Sequence, residues 1–205
     1  MAVQNDTGRV EAFSDGVFAI AITLLILEIR VPESAGHGTL GHALADLWPS
    51  YLAFVASFMT IGVMWLNHHR LFTLINKCDD GLIALNLLLL MGITWIPFPT
   101  GLLAEHLRRP DERVAGVVYA GSFVVIAIAF NVMWRYAVHA KAVNEHVNVP
   151  AITRQYAFGP LMYAALVGIA WLNGAACLVV SALYAVYFAL PPRLWMRNRI
   201  PEGPR

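Results

Sequence analysis

The chain is poor in the residues that most often carry chemistry: 205 residues contain two cysteines, and charged side chains make up only 13%. Cys78 and Cys177 cannot supply a paired-cysteine metal motif. The only lysines, Lys77 and Lys141, fall between apolar runs, so no span carries the lysine that a retinal-type Schiff base requires. No HExxH, Walker-type glycine loop or TVGYG stretch occurs, which sets aside zinc proteases, P-loop nucleotide binding and a carbonyl-lined ion filter. Ser14, Asp15 and His68 are the residue types of a hydrolytic triad. Ser14 and Asp15, however, are neighbours about 100° apart on a helix, and no nucleophile elbow is present. His68-His69 suggests no metal site either, because adjacent helical residues point in different directions. A formal net charge of +1 implies no nucleic-acid partner.

What the chain has in abundance is apolar surface: 59% of residues are hydrophobic, and mean hydropathy is +0.61. Such a composition is too apolar for a soluble domain of this length and implies an all-α integral membrane protein. Six spans can be counted in a single domain over 1–205, at about 10–31, 47–69, 81–104, 113–138, 155–172 and 174–191. The first apolar run is preceded by acids as well as Arg9 and has no small-residue cleavage site after it. It reads as a retained helix, not a signal peptide. Asn173-Gly174 leaves room only for a tight turn, so the last two spans form an antiparallel hairpin. Pro160 is expected to kink or start the fifth span, and Pro191-Pro192 to stop the sixth. Trp48, Tyr51, Trp95 and Trp134 fall near span ends, where they anchor at the membrane interface.

The spans sort the connections into two sets. One set, with both termini, carries ten of the Lys and Arg residues; the other carries Arg30, Arg108, Arg109 and Arg113. Both termini are therefore expected in the cytoplasm. Cys78 and Cys177 then lie at opposite surfaces, too far apart to bridge.

The stretch from Arg9 to Asp15, with the run from Gly16 to Leu27, is the least ordinary part of the chain. Glu11 and Asp15 precede that run and Glu28 and Arg30 follow it, leaving twelve uncharged residues between charges. A lipid-facing span needs roughly 20. The charged turns at its two ends are therefore expected to face protein or water at membrane depth. On a wheel of about 100° per residue, Ile20, Leu24 and Leu27 fall within roughly 60° of one another, flanked by Thr23, while Asp15 lies on the order of 140° from Ile20. The first helix thus presents an aliphatic stripe on one face and a buried acid on another. On residue type alone the stripe reads first as ordinary packing, since Leu and Ile also serve lipid-facing positions.

Topology gives the polar residues a common depth. Ser14 and Asp15 at the start of the first helix, Asn67, His68 and His69 at the end of the second, and Asn86 near the start of the third occupy one layer. A carboxylate there is costly unless paired and hydrogen-bonded. The expectation is an inner-leaflet network of Arg9, Ser14, Asp15, Asn67, His68 or His69, and Asn86, fixing the first helix in place. A role for these groups in ion or proton movement is the alternative.

Three pieces together carry a resemblance: Arg9-xxx-Phe13-Ser14-Asp15; Trp65-Leu-Asn67-His68-His69-Arg70-Leu-Phe72; and Asn86 with Pro97-Phe98-Pro99-Thr100. The first hundred residues resemble the bacterial branch of the endolysosomal potassium channel family. That resemblance implies six spans per subunit, a homotetramer in the bacterial inner membrane, and four first helices lining a central pore. It implies a hydrophobic constriction at Ile20 with further layers at Leu24 and Leu27, and a selectivity-associated polar position at Thr23. It further implies passive flow of K+ as the permeant ion, no cofactor, no metal, no enzyme activity and no soluble protein partner. A proton- or ion-coupled secondary transporter using Asp15 and His68 or His69 is the rival reading, against which stands the lack of inverted repeats.

Overall fold

A computed structural model describes residues 7–32 and 39–189. Most of the first connection, the Pro191-Pro192 stop and Arg193, Arg197, Arg199 and Arg205 lie outside the described residues. Helix α1 (Thr7–Leu24) tightens into a 3-10 turn over Leu25–Glu28. The short α2 (Leu40–Asp46) leads into α3 (Trp48–Phe72). After these come α4 (Asp80–Trp95), α5 (Pro97–His106), α6 (Glu112–His139), α7 (Val149–Leu172) and α8 (Gly174–Ala189). Five stretches of 22 to 28 residues are long and apolar enough to cross a membrane, with α4 and α5 together making one of them. The 16-residue α8 is the sixth apolar helix.

Two boundaries differ from the sequence expectation, each for a local reason. The fifth span begins at Val149, not near 155, because Asn148 caps it: its Oδ1 accepts from the Ala151 amide at 3.2 Å, and Pro150 sits in the first turn. Pro160 lies inside this helix and does not start it. The third span is broken at Ile96, where the amide bonds three residues back to the Ile93 carbonyl at 3.2 Å. Pro97 has no N–H to continue the ladder, and its ring crowds the preceding turn.

Helix α1 rests on α3 and α4, α3 runs along α8, and α6 runs along α7. The α6–α7 contact is close because Gly116 has no side chain; a Cβ there would lie 3.2 Å from both the Cβ and the carbonyl oxygen of Ala170. A buried group of hydroxyls joins α3, α5, α6 and α8. Ser57 Oγ lies 2.8 Å from Thr100 Oγ1 and 3.1 Å from Tyr119 OH, which lies 3.3 Å from Ser181 Oγ. At the end carrying the α3–α4 connection, Ile75 and Val143 form an isolated antiparallel bridge, and Asp79 caps α4 while accepting from Tyr136 OH at 3.0 Å. At the opposite end Asn173 caps α8, accepting from the Ala176 amide at 2.7 Å, and Glu112 accepts from the Gly174 amide. These contacts hold the hairpin turn between α7 and α8 against the start of α6.

Candidate functional site

Helix α1 has two unlike faces. Ser14, Phe18, Ala21 and Leu25, spaced four, three and four apart, are buried against the bundle. That spacing is one face of an α-helix. The other face is apolar and uncovered by any described helix of this chain: Phe13, Ile20, Leu24 and Leu27 are 56%, 59%, 39% and 68% exposed. Thr23 lies on the same side, its hydroxyl donating to the Ile20 carbonyl at 2.8 Å. Among the described residues nothing lies within 4 Å of where a Cβ on Gly16 would stand.

The buried face is stitched by a three-residue chain of polar groups. Ser14 Oγ donates to the Val10 carbonyl at 2.8 Å and so accepts from Asn86 Nδ2 at 2.9 Å. That orients the amide of Asn86 with its Oδ1 toward His68 Nε2, 2.9 Å away. His68 must therefore carry its proton on Nε2. All three side chains are 0–1% exposed. The imidazole lies between Phe18, at 5.3 Å between ring centroids, and Phe72, at 4.6 Å. Its Nδ1 has no hydrogen-bond partner among the described residues. A second proton on that atom would be buried without an acceptor, so the geometry fits the neutral ring.

The single network expected from sequence divides into three. Asp15 is not fully buried and does not meet His68; its Oδ1 accepts from Trp65 Nε1 at 2.8 Å. His69 Nδ1 meets Glu11 Oε1, and the His69 ring stacks on Trp65 with centroids 6.3 Å apart. Asn67 accepts from Arg70 Nη1 at 3.3 Å, and Arg70 Nη2 donates to the last described carbonyl of α8, Ala189, at 3.2 Å. Arg9 is exposed and joins none of these bonds. Sequence reasoning passed over Glu11 and Trp65 as partners and Phe18 as a packing group. A signal for the first two was present: Glu11 and Asp15 are four apart on α1, and Trp65 and His69 are four apart on α3, so two matched pairs meet where the helices cross. At the far end of α1 the Glu28 carboxylate packs directly onto Gly101 of α5, where a Cβ would collide with it.

The family described as endosomal/lysosomal potassium channel TMEM175 matches residues 9–97, which hold α1 and both helices that anchor it. A potassium channel of Chamaesiphon minutus is 50% identical over 198 residues, covering 91% of this chain and 95% of that protein. One of Streptomyces collinus is 46% identical over 189 residues, covering 90% and 92%. Among solved structures, the crystal structure of a lysosomal potassium-selective channel TMEM175 homolog from Chamaesiphon minutus superposes with a TM-score of 0.80 at 47% identity, covering 95% of this chain and 98% of that one. These relatives are ion channels and not enzymes. On identity sustained across nearly its whole length, and on the matching six-span helical architecture, the chain belongs to the TMEM175 family.

Proposed function

We propose that this chain is the subunit of a homotetrameric, potassium-permeable cation channel of the bacterial inner membrane, with both termini in the cytoplasm. Four copies of α1 line the pore, Ile20 forms its narrowest ring, Leu24 and Leu27 form the next layers, and Thr23 stands beside the constriction as the selectivity-associated group. The observation that carries this reading is the uncovered apolar face of α1, which holds all three aliphatic residues while the opposite face is bonded into the bundle. The names of the relatives supply the ion.

An ion within a ring of four isoleucines loses hydration water and gains no oxygen ligands, so a tight ring is a barrier. Conduction requires that the ring widen to pass a partly hydrated ion. Small rotations of α1 about its anchored face would widen it, and Ser14, His68 and Asn86 set the position from which that rotation starts. Flow is passive, and K+ is the permeant ion with no resident cofactor. The transporter alternative needs a protonation site shared by Asp15 and a histidine. Here Asp15 is bonded to Trp65, and His68 is bonded to Asn86.

Current across a planar bilayer holding the purified protein, with potassium on one side and sodium on the other, tests the reading. The current is expected to reverse away from zero toward the potassium equilibrium potential. Ile20→Asn is expected to raise conductance and bring reversal closer to zero. Unchanged conductance and selectivity in a well-assembled Ile20→Asn channel would remove Ile20 from the gate.

A further inference from the structure

A cavity separate from the uncovered face of α1 lies inside the subunit behind Phe18. Its volume is about 80 Å3. The deep part is walled by Phe18, Leu89, Ile93 and Ile126, and its polar end, toward the α3–α4 and α6–α7 connections, by Asn131, Gln155 and Tyr156. Among the described residues, no Asp, Glu, Lys, Arg or His lines it. Met64, Gly159 and Phe188 on its rim are partly exposed, so the cavity opens to the outside.

Its polar groups are not equally satisfied. Asn131 is committed, donating from Nδ2 to the carbonyls of Ala127 and Tyr156, each at 2.9 Å. Gln155 Oε1 and Tyr156 OH are buried without a hydrogen-bond partner among the described residues, and Tyr156 is only 9% exposed. Native proteins seldom leave such atoms unpaired, and two of them at one end of one cavity point to a partner held there. Arg70 stands near Tyr156, but its guanidinium is engaged by Oδ1 of Asn67, which also lines the cavity, and by the Phe188 and Ala189 carbonyls, so the lining favours an uncharged partner over a charged one. A hydroxyl is the matching group. It donates to an amide oxygen and accepts from a phenol, and it fits the amide in either orientation. The space is several times the 10–15 Å3 or so that one water occupies and about half of the roughly 150 Å3 that holds a benzene ring. It takes a hydroxyl with a few carbons of an apolar chain.

We infer that this cavity binds the hydroxyl end of an uncharged amphiphile, with the polar group on Gln155 and Tyr156 and the chain against the apolar wall behind α1. The site does not depend on the pore assignment, since it lies on the opposite face of α1 from Ile20. The test is photolabelling of the purified full chain in detergent with a diazirine-bearing octanol, with the attached residues read by mass spectrometry. Label is expected on cavity-lining residues, displaced by excess 1-octanol and not by methyl octyl ether, which cannot donate. Gly159→Leu fills the space; a Cβ at Gly159 meets only Ala127 Cβ, at 3.9 Å, so the variant has room to fold. Tyr156→Phe removes one hydroxyl and little else. Each is expected to lower labelling at least fivefold at an unfolding temperature close to that of the parent. Labelling that octanol does not displace, or that persists at parental level in both variants, overturns the inference and leaves water as the partner of both atoms.

Discussion

At the scale of single residues, counting protons separates two buried polar groups that look alike. In the hydroxyl cluster, Thr100 donates to the Ile96 carbonyl and Ser181 to the Leu178 carbonyl, each at 2.8 Å. Four hydroxyl protons thus serve five contacts, and removing one hydroxyl leaves every remaining proton with an acceptor. Tyr119→Phe is therefore expected to cost about 0.5–1.5 kcal/mol. Asn86→Leu instead strands the His68 Nε2 proton and strips Ser14 of its buried donor, at about 1–3 kcal/mol for each group. Thermal unfolding of the solubilised protein should rank Asn86→Leu well below Tyr119→Phe. Outside the spans, Cys78 is buried, and its burial, with the carboxylates of Asp79 and Asp80 adding to the effect, raises the thiol above its ordinary pKa. Iodoacetamide should modify it slowly at pH 8, with the rate climbing only as the pH passes the ordinary thiol range and the thiolate forms.

Among the elements, α1 shows what a sequence can and cannot reveal. The aliphatic stripe was legible because Ile20, Leu24 and Leu27 recur at helical spacing, and so was the common depth of Ser14, His68 and Asn86, because topology alone sets it. The pairing of Asp15 with Trp65 was not legible, since a wheel gives the direction of a side chain and not the rotation of the neighbouring helix that meets it. The break at Ile96 was written in Pro97, and the early start of α7 in Asn148 and Pro150. Both were lost in an apolar background that makes boundaries hard to see. Nothing in sequence marked Gly101 as the seat of Glu28, more than seventy residues away. Gly101→Ala should push the Glu28 carboxylate aside and lower stability by about 1–3 kcal/mol. Glu28→Ala in the same chain should recover most of that loss, a non-additivity that a double-mutant cycle on unfolding temperature would register. Additive losses would mean that the two residues do not share this contact.

For the whole molecule, the uncovered face of α1 is a statement about assembly. If four copies close around it, native mass spectrometry of the detergent-solubilised protein should give about 90 kDa, four times the 22.6 kDa chain. Leu24→Lys should shift that population toward monomer, whereas Leu183→Lys, at an exposed position of α8, should not. A monomer in the parent protein would remove the proposed pore. The bridge between Ile75 and Val143 has a consequence of another kind, one of timing. Its two residues are separated by about 70 positions, and ribosomes add roughly 5–20 residues each second. For some 4–14 seconds after the α3–α4 connection is made, its partner does not yet exist. Early in that interval, once α4 is made and before α5 and α6 are added, α1, α3 and α4 have only each other among the long helices, and the Ser14–Asn86–His68 chain, complete within the first 86 residues, is what can already hold them in register. The groups that position α1 in the finished protein are thus also available to keep the half-made one from losing its place in the membrane.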